Sequence, residues 1–235
     1  MFGMMMSLDP LYWLLIGPTV LLAIYAQQKV SGAYERFARV PVRSGLSGAQ
    51  AAQHLLQRAG IKNVRVEMTN GWLSDHYSPS SRTLRLSPQV FGGRTVAAVG
   101  IAAHEAGHAV QHAQGYSLLQ LRSLLVPAVQ FGSTLAWPLL FFGFIVGSMG
   151  LVQLGILAFT TIFLFQLVTL PVEFDASERA KIALTTSGVV SQQELGGVES
   201  VLSAVALTYV AAAVSSAAQL LYFLLRSGLL SGGDE

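Results

Sequence analysis

His104, Glu105 and His108 are the residues of this 235-residue chain best placed to do chemistry. They stand in the run His104-Glu105-Ala106-Gly107-His108, with two imidazoles four residues apart. On a helix that spacing separates side chains by about 40° around the axis and about 6 Å along it. Both rings can then reach one metal ion from the same face, with Glu105 beside them. A zinc ion so held lowers the pKa of a bound water to about 7, and the glutamate takes its proton as it attacks a peptide carbonyl. The chemistry implied is hydrolysis with Zn2+ as cofactor.

Two histidines do not complete a catalytic zinc site, so a third protein ligand is expected. His112 continues the stripe, but over eight residues of straight helix it lies about 12 Å from His104, while Zn–N bonds are about 2 Å. Ala109-Val110-Gln111 supplies no break that would fold it back, so His112 reads as a neighbour. Glu173 and Asp175, in Leu170-Pro171-Val172-Glu173-Phe174-Asp175, are better placed. Acidic groups at the end of an apolar run are costly unless they pair or bind a metal. Pro171 predicts the first turn of a new helix there. The two carboxylates lie about 200° apart around that helix, so only one can face the ion. Upstream, Asp75, His76 and Tyr77 form a polar cluster. His76 or Tyr77 is a candidate donor to the oxyanion and Asp75 a supporting carboxylate, with plain turn chemistry as the alternative. Arg179 would serve the oxyanion or meet lipid phosphates.

The elements that position these residues belong to a membrane protein. Hydrophobic residues make up 52% of the chain and charged residues 11%, well outside the range of an ordinary soluble domain. The absence of cysteine excludes disulfides and thiolate metal sites such as zinc fingers. A net charge of +2 is too small to suggest nucleic acid as a partner.

Leu11 to Gln27 runs without a charge for long enough to cross a bilayer. Asp9 stands where a signal peptide carries basic residues, so the run reads as a retained anchor. Ser123 to Leu170 is a stretch of 48 residues without Asp, Glu, Lys or Arg, too long for one span. Gly147-Ser148-Met149-Gly150 supplies the turn of a helical hairpin. Val205 to Leu225 forms a fourth span, with a small-residue centre suited to close packing in lipid. The chain thus divides into an anchor (1–27), a region with the histidine motif (28–122), a transmembrane hairpin (123–170), a helical segment with Glu173 (171–204) and a last span with tail (205–235). Ten of the 14 basic residues fall between Lys29 and Arg94. By the positive-inside rule, 28–122 and 172–204 face the cytoplasm and both termini lie opposite, with Arg226 against the trend.

Within 28–122, Ser47-Gly48-Ala49-Gln50 reads as a capping box opening a helix that Gly60 closes. Val64 to Met68, Trp72 to Tyr77 and Thr83 to Leu86 read as strands, with Asn70-Gly71 as a hairpin turn. After Pro88 a single helix is predicted to run through the histidines. Its small residues (Gly100, Ala103, Ala106, Gly107) would let the helix with the third ligand approach closely. The apolar run before the motif, Val96 to Ala103, is too short to span.

Three separated motifs, HEAGHAVQH, the upstream LSDHYSPSSRTLRLSP and the downstream LPVEFDASERA, resemble the YugP-type membrane zinc metallopeptidases. More distantly, they resemble the prenyl-protein and heat-shock membrane gluzincins. The likeness covers about Gly45 to Ala183. It implies that a glutamate on a later helix is the third zinc ligand, which falls on Glu173. The gluzincins carry Asp four residues further on and Ala three after that. Ser177 and Ala180 stand there, so the carboxylate that orients the zinc histidines is replaced or moved to Asp175.

The reading that results is a mainly α membrane protein. Four transmembrane helices carry a small cytoplasmic zincin-like α+β layer, a three-stranded antiparallel meander plus the active-site helix. Zn2+ is bound by His104, His108 and Glu173, with Glu105 as base and then proton donor, and His76 as a further catalytic candidate. The expected partners are membrane proteins or tethered peptides and the lipid bilayer of a plasma or inner membrane, crossed several times. Nucleic acid is not expected and a homo-oligomer is left open. One rival is an intramembrane site-2-type protease using Asp175. Another is a non-catalytic scaffold whose structural zinc takes a fourth ligand such as His76 or Asp175.

Overall fold

A computed structural model describes residues 9–230, so the outermost parts of the 1–27 and 205–235 segments, and with them the termini, lie outside the described residues. Among the described residues, seven helices and three strands follow in the order α1 (Pro10–Phe37), α2 (Gly48–Arg58), β1 (Arg65–Met68), β2 (His76–Ser78), β3 (Thr83–Leu86), α3 (Pro88–Gly92), α4 (Val96–Ala113), α5 (Ser117–Val146), α6 (Met149–Thr186) and α7 (Gln192–Arg226). The protein is mainly helical. α1, α5, α6 and α7 are long and apolar enough to cross a membrane. Even α1, at 28 residues, measures about 42 Å against a hydrocarbon core of about 30 Å.

The chain divides into two compact units. One comprises Ala26–Gln120 and Pro171–Leu207 and carries the histidine motif. Its core is built from Ala51, Ala52 and Leu55 of α2, Leu84 and Leu86 of β3, the length of α4, Leu184 of α6 and Val198 of α7. The capping box forms as expected. Ser47 Oγ accepts from Gln50 N at 3.3 Å and Gln50 Oε1 accepts from Ser47 N at 2.9 Å, an arrangement that stabilises α2 by about 1 kcal/mol.

The sheet departs from the expected meander. Its order is β1-β3-β2, with β1 and β3 parallel (Val66 opposite Leu84) and β2 and β3 antiparallel (Tyr77 opposite Leu84). Thr83, Leu84 and Leu86 are fully or almost fully buried, whereas β1 and β2 have no buried residue. The apolar strand therefore takes the centre, where both of its edges are paired. A parallel neighbour needs a crossover of a dozen residues or so, and residues 69–82 supply it. Asn70-Gly71 turns the chain within that crossover without closing a hairpin, and the second strand starts at His76 rather than Trp72.

The helix expected from Pro88 through the histidines is also divided. Gly93 is extended and Thr95 opens α4 afresh, its Oγ accepting from Ala98 N at 3.3 Å. Pro41 and Thr95 form a β-bridge at the break, so backbone pairing with the α1–α2 connection competes with helix continuation.

The other unit comprises the described residues up to Tyr25, Leu121–Leu170 and those from Thr208 on. Leu140, Val152, Ile156, Phe159 and Phe223 form its core, and Trp137 meets Phe159 and Phe223 edge-on. Asp9 caps α1 through Leu11 N, accepts from the Tyr222 hydroxyl at 3.0 Å and lies 3.6 Å from Arg226. Gly147 adopts φ 68° between α5 and α6, as the predicted turn requires. Below the turn the two backbones touch through glycines. A Cβ on Gly155 would lie 2.9 Å from Leu140 N, and one on Gly143 2.8 Å from Val152 N. Gly155→Leu should therefore destabilise the protein by about 1–3 kcal/mol, seen as a lower Tm in detergent. Gly150→Leu, at a position with nothing within 4 Å, should not lower it. Equal Tm values for Gly155→Leu and the parent would contradict this packing.

Candidate metal centre

α4 is apolar or small around nearly its whole circumference and is buried in consequence, from Val96 to Ala109 and again at Gln111. His104, Glu105 and His108 are buried with it. Their partner element is α6, which does not restart at Pro171 as expected but runs unbroken from Met149 to Thr186. Proline removes one helical hydrogen bond, a loss that a long helix packed along its length absorbs. Glu173 thus sits inside a helix and not in its first turn. α4 and α6 meet where Gly107 faces Ala176, since a Cβ on Gly107 would come 2.5 Å from the Ala176 carbonyl oxygen. That contact lies three residues beyond Glu173 on one helix and one residue before His108 on the other.

The close approach brings three ligand-type groups together. His104 Nε2 lies 3.1 Å and His108 Nε2 3.4 Å from the same Glu173 oxygen, Oε2. The two rings stand nearly perpendicular, 82° apart, with centroids separated by 4.8 Å. Burial alone would lower the His108 pKa, but the carboxylates of Glu173 and Glu105 outweigh it and raise the pKa above the usual value. Behind the rings, Ser177 Oγ lies 3.1 Å from His104 Nδ1, and Gln111 Oε1 lies 2.9 Å from His108 Nδ1.

The remaining sequence candidates go elsewhere. Asp175 accepts from Gln111 Nε2 at 2.7 Å and from Arg179 Nε at 2.5 Å. Arg179 also donates to Gln114 Oε1 and lies over the Tyr116 ring, so it belongs to this network. His112 Nδ1 is bonded to the Tyr77 hydroxyl at 2.8 Å. His76 is exposed on β2 with its Nδ1 2.8 Å from the Ser74 carbonyl, and it is not part of the three-residue cluster. Asp75 accepts from Ser87 N and Oγ, tying β2 to the start of α3. Burial, reinforced by the Glu105 carboxylate, holds the Asp75 carboxyl above its usual range despite those bonds. Gln111 and Gln114 were not singled out beforehand. The available signal was the three-residue step from His108 to Gln111, which puts both on one helical face.

The comparisons with known proteins place the chain among zinc metallopeptidases. The family described as "putative neutral zinc metallopeptidase" matches residues 12–228. A curated relative, the "putative membrane protease YugP" of Bacillus subtilis (strain 168), is 46% identical over 215 residues, 91% of this chain and 94% of its own length. The chain belongs to this family. No solved structure matches it significantly.

The zinc that the family description names can be tested against the side chains present. Among the described residues, His104, His108 and Glu173 form a cluster whose ligand atoms all lie within 4.8 Å of one another. Tetrahedral ligands about 2.0–2.1 Å from zinc are separated by about 3.3 Å, close to the 3.1 and 3.4 Å found here. Two imidazoles with one carboxylate is also a donor set that catalytic zinc takes. The residues fit the ion. Glu173→Ala should abolish stoichiometric zinc binding, measured by metal analysis of the purified protein. Asp175→Ala and His112→Ala should retain most of it. Zinc retained by Glu173→Ala and lost by either of the others would refute the ligand assignment.

Proposed function

We propose that this protein is a zinc-dependent endopeptidase that cleaves membrane proteins or membrane-tethered peptides at the cytoplasmic face. The observation that carries the reading is the convergence of His104, His108 and Glu173 beside Glu105, inside a membrane-protein chain of a zinc metallopeptidase family. Zinc held by the three ligands supplies the Lewis acid that makes water a nucleophile near neutral pH. Glu105 accepts the proton of the attacking water as it adds to the peptide carbonyl, and returns it to the leaving amine. His104 and His108 present Nε2 to the ion, while Ser177 and Gln111 hold their rings from behind. A helix with this motif packed against a small sheet, as α4 is against β2 and β3, is consistent with a zincin-like arrangement.

A catalytic zinc on His104, His108 and Glu173 would keep one position for water, whereas a structural site would take a fourth protein ligand. His76 is exposed on β2 and Asp175 is held by Gln111 and Arg179. The site-2-type alternative needs Asp175 as ligand, but that carboxylate is engaged by Gln111 and Arg179. Membrane substrates are favoured by the four apolar helices and by the relative's description as a membrane protease. The cytoplasmic orientation rests on the charge bias, ten of 14 basic residues between Lys29 and Arg94. Arg226 carries little weight against it because Asp9 stands beside it.

Glu105→Gln should keep zinc, since both histidines and Glu173 remain, yet lose hydrolysis of a peptide substrate by orders of magnitude. A variant that cleaved as fast as the parent would remove Glu105 from the mechanism. For the orientation, the chain has no native cysteine and Ser80 is exposed. A membrane-impermeant maleimide should label Ser80→Cys only after the cells are opened. Labelling in intact cells would reverse the topology.

A further inference from the structure

Gln111 is wholly buried, although its uncharged amide carries two N–H donors and an acceptor oxygen. On its nitrogen side it donates to the Val172 carbonyl at 2.8 Å and to Asp175 Oδ2 at 2.7 Å. On its oxygen side it meets His108 Nδ1 at 2.9 Å. A carbonyl and an ionised carboxylate can only accept, so both amide hydrogens must point to them. The amide oxygen therefore faces His108, and an oxygen there can only accept. His108 must carry a hydrogen on Nδ1, so in the neutral ring the nitrogen free to bind a metal is Nε2, the one that faces Glu173. His104 is held less strictly. Its Nδ1 meets the Ser177 hydroxyl, which can donate or accept and so dictates no tautomer.

We infer that Gln111 is a positioning residue of the metal centre: its buried amide fixes the metal-binding tautomer of His108 and ties that ring to the helix bearing Glu173. The inference rests on the zinc reading proposed above. Val172 immediately precedes Glu173, so the amide fastens the backbone of α6 beside one ligand and the imidazole of another. Asp175 locks the amide from behind, and Arg179 closes the circuit to Gln114 at the end of α4. The pair Gln111–Asp175 thus does the work of a carboxylate behind a zinc histidine, which here reaches the ring through an amide.

The test measures zinc affinity of the full-length protein in detergent by competition with a chromophoric chelator, alongside the Tm of the zinc-free protein. Gln111→Met keeps the volume but removes the acceptor, and should weaken zinc binding about 10–100-fold. The double variant Gln111→Glu with Asp175→Asn reverses the polarity of the pair. The introduced amide donates to the introduced carboxylate, which still accepts from His108 Nδ1, and its carbonyl still accepts from Arg179. This variant should recover at least tenfold of the lost affinity. A merely structural role predicts no such recovery, because the double variant gives up the bond to the Val172 carbonyl. Parental affinity in Gln111→Met would overturn the inference and leave the zinc site standing, as would a double variant no better than Gln111→Met. Failure of the parent protein itself to bind zinc would overturn the zinc reading and this inference with it.

Discussion

The ligand-type groups of α4 and α6 converge where the two backbones approach more closely than ordinary side chains permit. At the crossing of α4 and α6 that approach depends on Gly107, whose missing Cβ makes room for the Ala176 carbonyl. The distances of 3.1 and 3.4 Å from the histidines to Glu173 follow from it. A Leu or Val at this point would have to push the two helices apart and carry Glu173 away from His104 and His108. Alanines at 103 and 106 extend the small surface along the same helix. α4 buys this closeness by giving up polar surface on nearly every side, which confines it to the core of its unit.

Burying so polar a cluster is tolerable only because the groups around it are hydrogen-bonded. Ser177 and Gln111 take the ring nitrogens that do not face Glu173, and Asp175, Arg179 and Gln114 extend the chain of bonds outward. The network runs from α4 to α6 and back to α4, so it fixes the spacing and the rotation of the two helices together. Its outer members are half-exposed, and the Asp175–Arg179 pair contributes more to geometry than to stability.

Features set by local sequence were legible from the chain alone. The metal spacing of His104 and His108, the Ser47–Gln50 capping box, the Gly147 turn and the apolar runs all depend on residues within a turn or two of one another. Features decided by competition across the fold were not. β3 displaced the expected meander because Leu84 and Leu86 bury more apolar surface than either neighbour, a comparison that no single strand reveals. Pro171 read as a helix start because its cost is local, while the packing that outweighs it is not. The break at Gly93–Thr95 came from pairing with Pro41, more than fifty residues away. Gln111 stayed hidden because a glutamine on a helix carries no chemical signal until its three partners surround it. Glu173 and Asp175 were visible as a pair, and the resemblance to gluzincins chose between them.

The uncharged nature of Ser177 and Gln111 has a consequence for the balance of charge inside the protein. A doubly positive ion held by His104, His108 and Glu173 would be matched by the carboxylates of Glu173 and Glu105, as Asp175 is matched by Arg179. A carboxylate directly behind either imidazole would leave this buried region one charge negative, in surroundings where an unmatched charge is very costly. With a hydroxyl and an amide there instead, a centre holding a divalent ion would be electrically neutral. The same two carboxylates, Glu173 and Glu105, already raise the proton affinity of His108 against the effect of its burial. A divalent ion entering this cluster would take the place of any proton on the ring nitrogens that face Glu173, since histidine binds a metal only in its neutral form.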